Sequence, residues 1–242
     1  MRQKKLLSIS FKKFFLFILF VSIALLFFFN LSFYFKIKKI VISNNKNNFF
    51  IIGLKSIEGR LIFFVNEQII SDFLLKNNPQ IESLIVKKKL PDTIIIYPQI
   101  SNAHAQLKTN DGYFVLSKKG KIIKKTKTKI NKIPLINFYQ LLDFYQFHSG
   151  NHLNFKEIII ALEVLEKLKN LGFNDINTID IKSYDVIIFN KDNEEEIIIS
   201  TTKDKEKLFY EIETIINKNK FYKKSFKKVD LRFNKPIIIL YE

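Results

Sequence analysis

The chain has 242 residues, 47% hydrophobic and 26% charged, with a formal net charge of +17 and no cysteine. Without cysteine there is no thiolate nucleophile and no thiolate metal site, which excludes a sortase-like transpeptidase; an extracytoplasmic domain lacking disulfides suits a bacterial surface. The positive charge raises nucleic acid as a partner, but Lys, Asn, Ile and Phe are the residues of A/T-rich codons, and drift toward such codons gives this profile without selection for one. The basic stretches Lys118 to Lys132 and Lys218 to Lys228 interleave only Phe221, Tyr222 and Phe226, too few rings for a base-stacking groove. A solvated basic face over anionic headgroups is the expectation, with no nucleic acid.

The first predicted element is a membrane span. A basic stub (Arg2, Lys4, Lys5, Lys12, Lys13) precedes a run from Phe14 to Phe35 that has no charged residue and only Ser22, Asn30 and Ser32 as polar interruptions. About 20 apolar residues, each rising 1.5 Å, are what a helix needs to cross a hydrocarbon core of ~30 Å. A cleavable signal peptide would have an apolar region of about 7–15 residues closed by small side chains. Here the far end, Leu26 to Phe35, is bulky throughout, so an uncleaved anchor is expected. Positive charge before the span keeps the stub in the cytoplasm and sends the remainder outside, with Phe33, Tyr34 and Phe35 at the outer interface.

Beyond the span, Lys36 to Ser43 alternates as a strand, and Asn44 to Asn48 is a polar break. Phe50 to Ile57 reads as a short helix stopped by Gly59. Asn66 to Lys76 reads as a helix with Ile69, Ile70, Phe73 and Leu74 on its apolar face. Strands Ile81 to Lys88 and Thr93 to Pro98 flank a Pro91-Asp92 turn. The order strand, helix, helix, strand, strand predicts a three-stranded sheet covered by two helices.

A second region begins near Asn102. Ala103 to Lys108 and Tyr113 to Ser117 form a hairpin around Asn110-Asp111-Gly112, and Lys119-Gly120 turns into Ile122-Ile123. The basic stretch through Lys132 reads as an exposed loop. Asn154 to Leu171 is a helix with Ile158, Ala161, Leu162, Leu165 and Leu168 on one face and Gly172 as its stop. Strands follow at Thr178 to Lys182, Asp185 to Asn190 and Glu195 to Ser200, then a helix from Asp204 to Asn217, then strands Val229 to Phe233 and Pro236 to Tyr241. This order predicts an antiparallel sheet with helices on one face. The last strand is apolar and opens on a proline that cannot donate to a ladder, which places it at a sheet edge.

Chemistry-bearing residues are sparse. His148 and His152 have the four-residue spacing of paired zinc ligands on a helix, but Ser149-Gly150-Asn151 between them predicts a loop. Serine and lysine are common, yet no serine has a recognisable nucleophile setting. Glu194-Glu195-Glu196 reads as a solvated turn, and the 6 glycines form no phosphate loop. No active site, metal site or cofactor is expected.

Three motifs carry a family resemblance that covers essentially the whole chain. They are Ile81-Glu82-Ser83-Leu84-Ile85-Val86 with Lys89-Leu90-Pro91-Asp92-Thr93-Ile94; Gly112-Tyr113-Phe114-Val115-Leu116 with Gly120 and Pro134-Leu135-Ile136; and Asp230-Leu231-Arg232-Phe233. With the basic tail and single span, these resemble the FtsQ/DivIB family of bacterial cell division proteins. Ile100-Ser101-Asn102-Ala103-His104-Ala105 departs from the family's domain-junction pattern.

The resemblance implies an α+β chain: a cytoplasmic tail over 1–13, a transmembrane helix over 14–35, a POTRA-like three-stranded domain over 36–101 and an FtsQ/DivIB-type β domain over 102–242. It implies a non-catalytic scaffold in the plasma membrane at the division septum, linking FtsB/DivIC-like and FtsL-like membrane proteins to septal peptidoglycan synthesis without a small-molecule substrate. Partner contact would be β-augmentation on the last strand, with Arg232, Phe233, Lys235, Ile237, Ile239 and Tyr241 as binding residues. Arg232 would meet an acidic partner group, and Phe233 and Tyr241 would be apolar anchors where they are not core. Two alternatives are a POTRA-bearing module of a secretion or outer-membrane assembly system, and a type II membrane enzyme acting on cell wall or signal peptides.

Overall fold

The computed structural model describes residues 13–23, 25–26, 33–43, 50–191, 194–222 and 226–241. Residues 13–23 and 25–26 are helical and solvent-exposed. Among the described residues, no helix is long and apolar enough to cross a membrane; residues 24 and 27–32 of the predicted span, the basic stub before Lys13 and the break at Asn44 to Asn48 lie outside them. The chain divides into two units, Met1–Gln99 and Ile100–Glu242.

In the first unit, β1 (Lys39–Ile42), β2 (Ile81–Lys89) and β3 (Thr93–Ile100) form a sheet of order β1-β3-β2. β1 runs parallel to β3, pairing Lys39 with Thr93 and Ile42 with Ile96. α1 (Glu67–Asn77) begins where Asn66 Oδ1 accepts from the amides of Gln68 and Ile69 at 2.9 and 3.2 Å, a side-chain N-cap. Only part of its predicted apolar face is buried: Ile70 and Leu74 enter the core, whereas Ile69 and Phe73 stay exposed. Ser71 explains the difference. Its hydroxyl donates to Leu84 O at 2.8 Å, which turns the Ile70–Ser71–Leu74 side of the helix onto β2.

The predicted first helix is absent. A single 3-10 turn, Leu54–Ser56, stands in its place, followed beyond Gly59 by a second, Ile62–Phe64; Gly53 and Gly59 both take positive φ, 99° and 77°, and interrupt any continuous helix. Asn78, fully buried, holds this segment. Its side chain donates to Leu74 O and Ile52 O and accepts from Ile52 N at 2.8 Å, so one amide ties the irregular 50–53 stretch to the end of α1.

The second unit carries β4 (Ala105–Thr109), β5 (Gly112–Leu116), β6 (Ile122–Thr126), β7 (Leu135–Phe138), α2 (Lys156–Asn170), β8 (Ile176–Ile181), β9 (Val186–Lys191), β10 (Glu196–Ser200), α3 (Lys205–Tyr222), β11 (Phe226–Asp230) and β12 (Ile237–Leu240). Its strands form one sheet of order β12-β11-β10-β9-β8-β7-β4-β5-β6. The predicted antiparallel sheet is mixed, since β4–β7, β7–β8 and β10–β11 pair in parallel. Both β7–β8 and β10–β11 are crossovers made by α2 and α3, as parallel neighbours require.

The predicted loop through Lys132 is partly strand β6. Its remainder is fastened by the fully buried Gln106, which donates to Ile130 O and Ile133 O and accepts from Ile130 N. The predicted α2 face is wholly buried. α2 closes on Gly172 (φ 70°), whose amide donates to Lys169 O while Phe173 N reaches back to Leu168 O, a Schellman ending. Lys220 of α3 adds an ammonium donor to the exposed Leu171 carbonyl. Ion pairs Lys167–Glu213 and Lys205–Glu163, at 2.6 and 2.8 Å, set α2 and α3 side by side.

Candidate functional site

β12 is the outermost strand of the nine-stranded sheet, hydrogen-bonded to β11 alone among the described strands. All four of its residues, three isoleucines and a leucine, are exposed, between 42 and 51%. Alternation along the strand gives its two faces different company. Ile238 and Leu240 look onto α3 and, with Tyr210, Ile215 and Tyr222, line an apolar groove of about 520 Å³. Ile239 lies on the opposite face, in a cavity of about 620 Å³ walled by Lys191, Glu195, Glu196 and Lys228. Within the helix-side groove Asn219 Nδ2 is buried and has no hydrogen-bond partner among the described residues; a buried amide donor left open costs free energy until something accepts from it.

A buried lysine builds the approach to this strand. Lys203 donates to Leu231 O at 2.7 Å and Phe233 O at 2.8 Å, and pairs with Glu211 of α3 at 2.5 Å; its side chain is 7% exposed and that of Glu211 11%. The β11–β12 turn is thus fastened to α3, and the chain enters β12 in fixed register.

Arg232 has a different place from the one its sequence position predicts. Its guanidinium grips Asp230 through Nε and Nη2, the shortest contact being 2.6 Å, and stacks 5.4 Å from the Phe233 ring centroid. The hydrogen bonds from Arg232 hold the Asp230 carboxyl below its ordinary range, and Asp230 raises Arg232 in return. The charge is already paired within the chain, two residues away. Phe233 is 51% exposed and so is not core, and Lys235 and Ile237 are exposed beside it. Tyr241 is 40% exposed, its hydroxyl pushed up first by desolvation and then by the nearby Glu195 and Glu194.

Ile238 and Leu240 of the predicted edge strand, with Tyr210, Tyr222 and Lys203, were not among the residues expected to bind a partner. The signal for the first four is periodic: Tyr210, Thr214, Lys218 and Tyr222 fall at i, i+4 along one side of α3, facing the even-numbered residues of β12. Lys203 carries no such signal, since its acceptors are carbonyls about 30 positions away.

Other charged positions resolve as structure. Glu195 is buried and pairs with Lys191 at 2.8 Å, and Glu196 sits in β10 against Lys228 at 3.6 Å, so the three-glutamate run is not a solvated turn. His148 and His152 are exposed in an irregular segment. His104 is buried, with Nε2 3.3 Å from Leu162 O and Nδ1 3.6 Å from Glu166. Burial, reinforced by the Lys169 charge, lowers its pKa from 6.5 to about 4, so it is neutral at physiological pH. Among the described residues no cluster of His, Asp and Glu has the makings of a metal site.

No family model matches the chain. Over 100 residues it is 33% identical to the cell division protein DivIB of Clostridium botulinum, a match spanning 41% of this chain and 38% of that protein. The chain therefore covers about two fifths of the length of this curated relative. Among solved structures, the major extracytoplasmic domain of the trans isomer of DivIB from Geobacillus stearothermophilus aligns at 15% identity and a TM-score of 0.30, covering 51% of this chain and 89% of that one. Over the matched 100 residues the chain is similar to DivIB, in line with the resemblance to the FtsQ/DivIB family carried by the motifs at Ile81, Gly112 and Asp230.

Proposed function

We propose that this chain is a non-catalytic, single-pass protein of the bacterial division machinery, anchored in the plasma membrane with its stub in the cytoplasm and both units outside. In this reading it gathers FtsB/DivIC-like and FtsL-like partners at the septum and links them to peptidoglycan synthesis. The observation that carries the reading is the open β12 edge: an apolar strand with no neighbour on its outer side among the described strands, held in register by Lys203 and bordered by an apolar groove. An incoming strand would continue the ladder, and its alternate side chains would fill the Ile238–Leu240 groove and the Ile239 face. The kinship to DivIB supports the process, and the Phe14 to Phe35 run supports the anchor. Arg232 acts here by shaping the turn, while Phe233, Lys235, Ile237, Ile239 and Tyr241 offer contact surface.

Deleting Ile237 to Glu242 from the full chain should abolish binding of an FtsB/DivIC-like partner, measured by calorimetry, while the circular dichroism of the first unit persists. Unchanged affinity would remove the edge from the interface and move the contact to the basic segment Lys118 to Lys132.

A further inference from the structure

In the first unit Phe63 and Phe64 stand side by side, 56 and 86% exposed, at the 3-10 turn Ile62–Phe64. The turn is pinned to the residues that follow the apolar run. Ile62 N donates to Phe35 O at 3.0 Å and Ile37 N to Arg60 O at 2.9 Å, Lys36 bridges Leu61, and the Phe35 and Phe63 rings lie 4.7 Å apart. Phe63 and Phe64 are therefore held within a residue or two of the point where the Phe14 to Phe35 run ends.

The charge around them is one-sided. Residues 33–43 and 50–67 carry Lys36, Lys38, Lys39, Lys55 and Arg60 against Glu58 and Glu67, and Glu67 accepts a hydrogen bond from the amide of Lys88. Lys36 and Lys38 place their ammonium groups 5.8 and 5.1 Å from the Phe33 ring centroid, aliphatic stems along the aromatic surface and charges free to reach a polar layer. Exposed rings with a basic collar are the composition that settles at the boundary between headgroups and acyl chains of an anionic bilayer.

We propose that the Ile62–Phe64 turn is a membrane-interfacial anchor, with Phe63 and Phe64 inserted among the lipids of the same leaflet from which the chain emerges. The proposal rests on the reading of Phe14 to Phe35 as a membrane span. The turn and the span then grip the bilayer at two points, which fixes the tilt of the first unit instead of leaving it to swing on a single tether. β1 leads away from that boundary in parallel with β3, so Tyr97, one residue past the Ile42–Ile96 pair and 40% exposed, marks the end of the sheet remote from lipid.

The chain contains no tryptophan, so single-tryptophan reporters test the idea directly. Full-length Phe64→Trp and Tyr97→Trp are reconstituted separately in vesicles of phosphatidylcholine and phosphatidylglycerol, with and without acyl chains brominated near the glycerol. The expected result is a blue-shifted, bromine-quenched emission for Phe64→Trp and a red, unquenched emission for Tyr97→Trp. Retention of the protein in the vesicles after alkaline carbonate, with Phe64→Trp unquenched, overturns the anchor while sparing the span and leaves the turn to a protein partner. Equal quenching at both positions also overturns it, since the turn would then have no privileged contact. Extraction by carbonate overturns the span reading and the anchor with it.

Discussion

The two edges of the nine-stranded sheet are treated in opposite ways. β6 reads Ile-Ile-Lys-Lys-Thr and is covered. Ile122 exchanges hydrogen bonds with the 150–151 segment, Lys121 bridges His152, and Lys125 donates to Phe147 O at 2.8 Å while lying 4.3 Å from the Phe144 centroid. β12 reads Ile-Ile-Ile-Leu, carries no charge and has nothing beyond it among the described strands. Lysines and covering segments are the ordinary protection of a sheet edge, and a bare apolar strand is a template for pairing. Within one sheet the same chain protects one side and leaves the other bare among the described strands, the asymmetry on which the proposed docking at β12 rests.

The sharpest way to break the comparison is to remove the device that holds β12 in place. Lys203→Met leaves the Glu211 carboxylate and the Leu231 and Phe233 carbonyls without their donor in a site where both side chains are almost closed to water. Removing one partner of such a pair costs about 3–5 kcal/mol, to be read as a lowered denaturant midpoint of the second unit. A loss below about 1 kcal/mol would mean that the turn does not depend on the clamp.

The halves of the sheet should also titrate apart. His104, at the entrance to β4, has its folded pKa lowered to about 4 against an ordinary 6.5. Between those values the unfolded chain binds a proton that the folded chain refuses, so the stabilisation is complete above pH 6.5 and is lost as pH falls toward 4. The loss is on the order of 3 kcal/mol by linkage. Asp230, beside β12, is depressed by Arg232 from 3.8, so its contribution is present above that value and is lost only at lower pH. Unfolding measured from pH 7 to 4.5 should therefore fall steeply in the native chain and become flatter in His104→Gln. An unchanged slope in that variant would assign the loss to other groups.

What the sequence discloses about these edges depends on the range of the signal. Pro236 and four apolar residues after it mark an edge strand locally, and Asn66, Gly112 and Gly172 mark a cap, a hairpin turn and a helix stop, because each acts on backbone within a few positions. β7 escapes notice: Leu135–Phe138 is four residues long, follows a basic stretch, and becomes a strand only between β4 and β8, its parallel neighbours. The fate of Arg232 is equally hidden, since a guanidinium two residues from an aspartate looks the same in sequence whether it grips that aspartate or a partner. Ile69 and Phe73 satisfy helical periodicity yet face outward, because periodicity fixes a stripe but not which margin of the stripe meets the sheet.

The smallest expected effect transfers the protection of one edge to the other. Ile238 pairs with Val229 and lines the groove with Tyr222, so Ile238→Lys changes the groove wall and keeps the strand paired. Being already 42% exposed, the position gives up little on substitution, and the unfolding midpoint should stay within about 0.5 kcal/mol of the native chain. Affinity for a strand-adding partner should nevertheless drop about tenfold, near 1.4 kcal/mol, because a charge on the edge opposes ladder formation and desolvates as the groove fills. The reverse change, Lys124→Ile on β6, removes an exposed lysine from the covered edge but leaves the hydrogen bonds of Ile122 in place. Sedimentation should show the same association state as the native chain, since the covering segment and not the charge alone closes that side. Self-association of Lys124→Ile would instead show that β6 is guarded by charge, and that the two edges differ in one side chain more than in architecture.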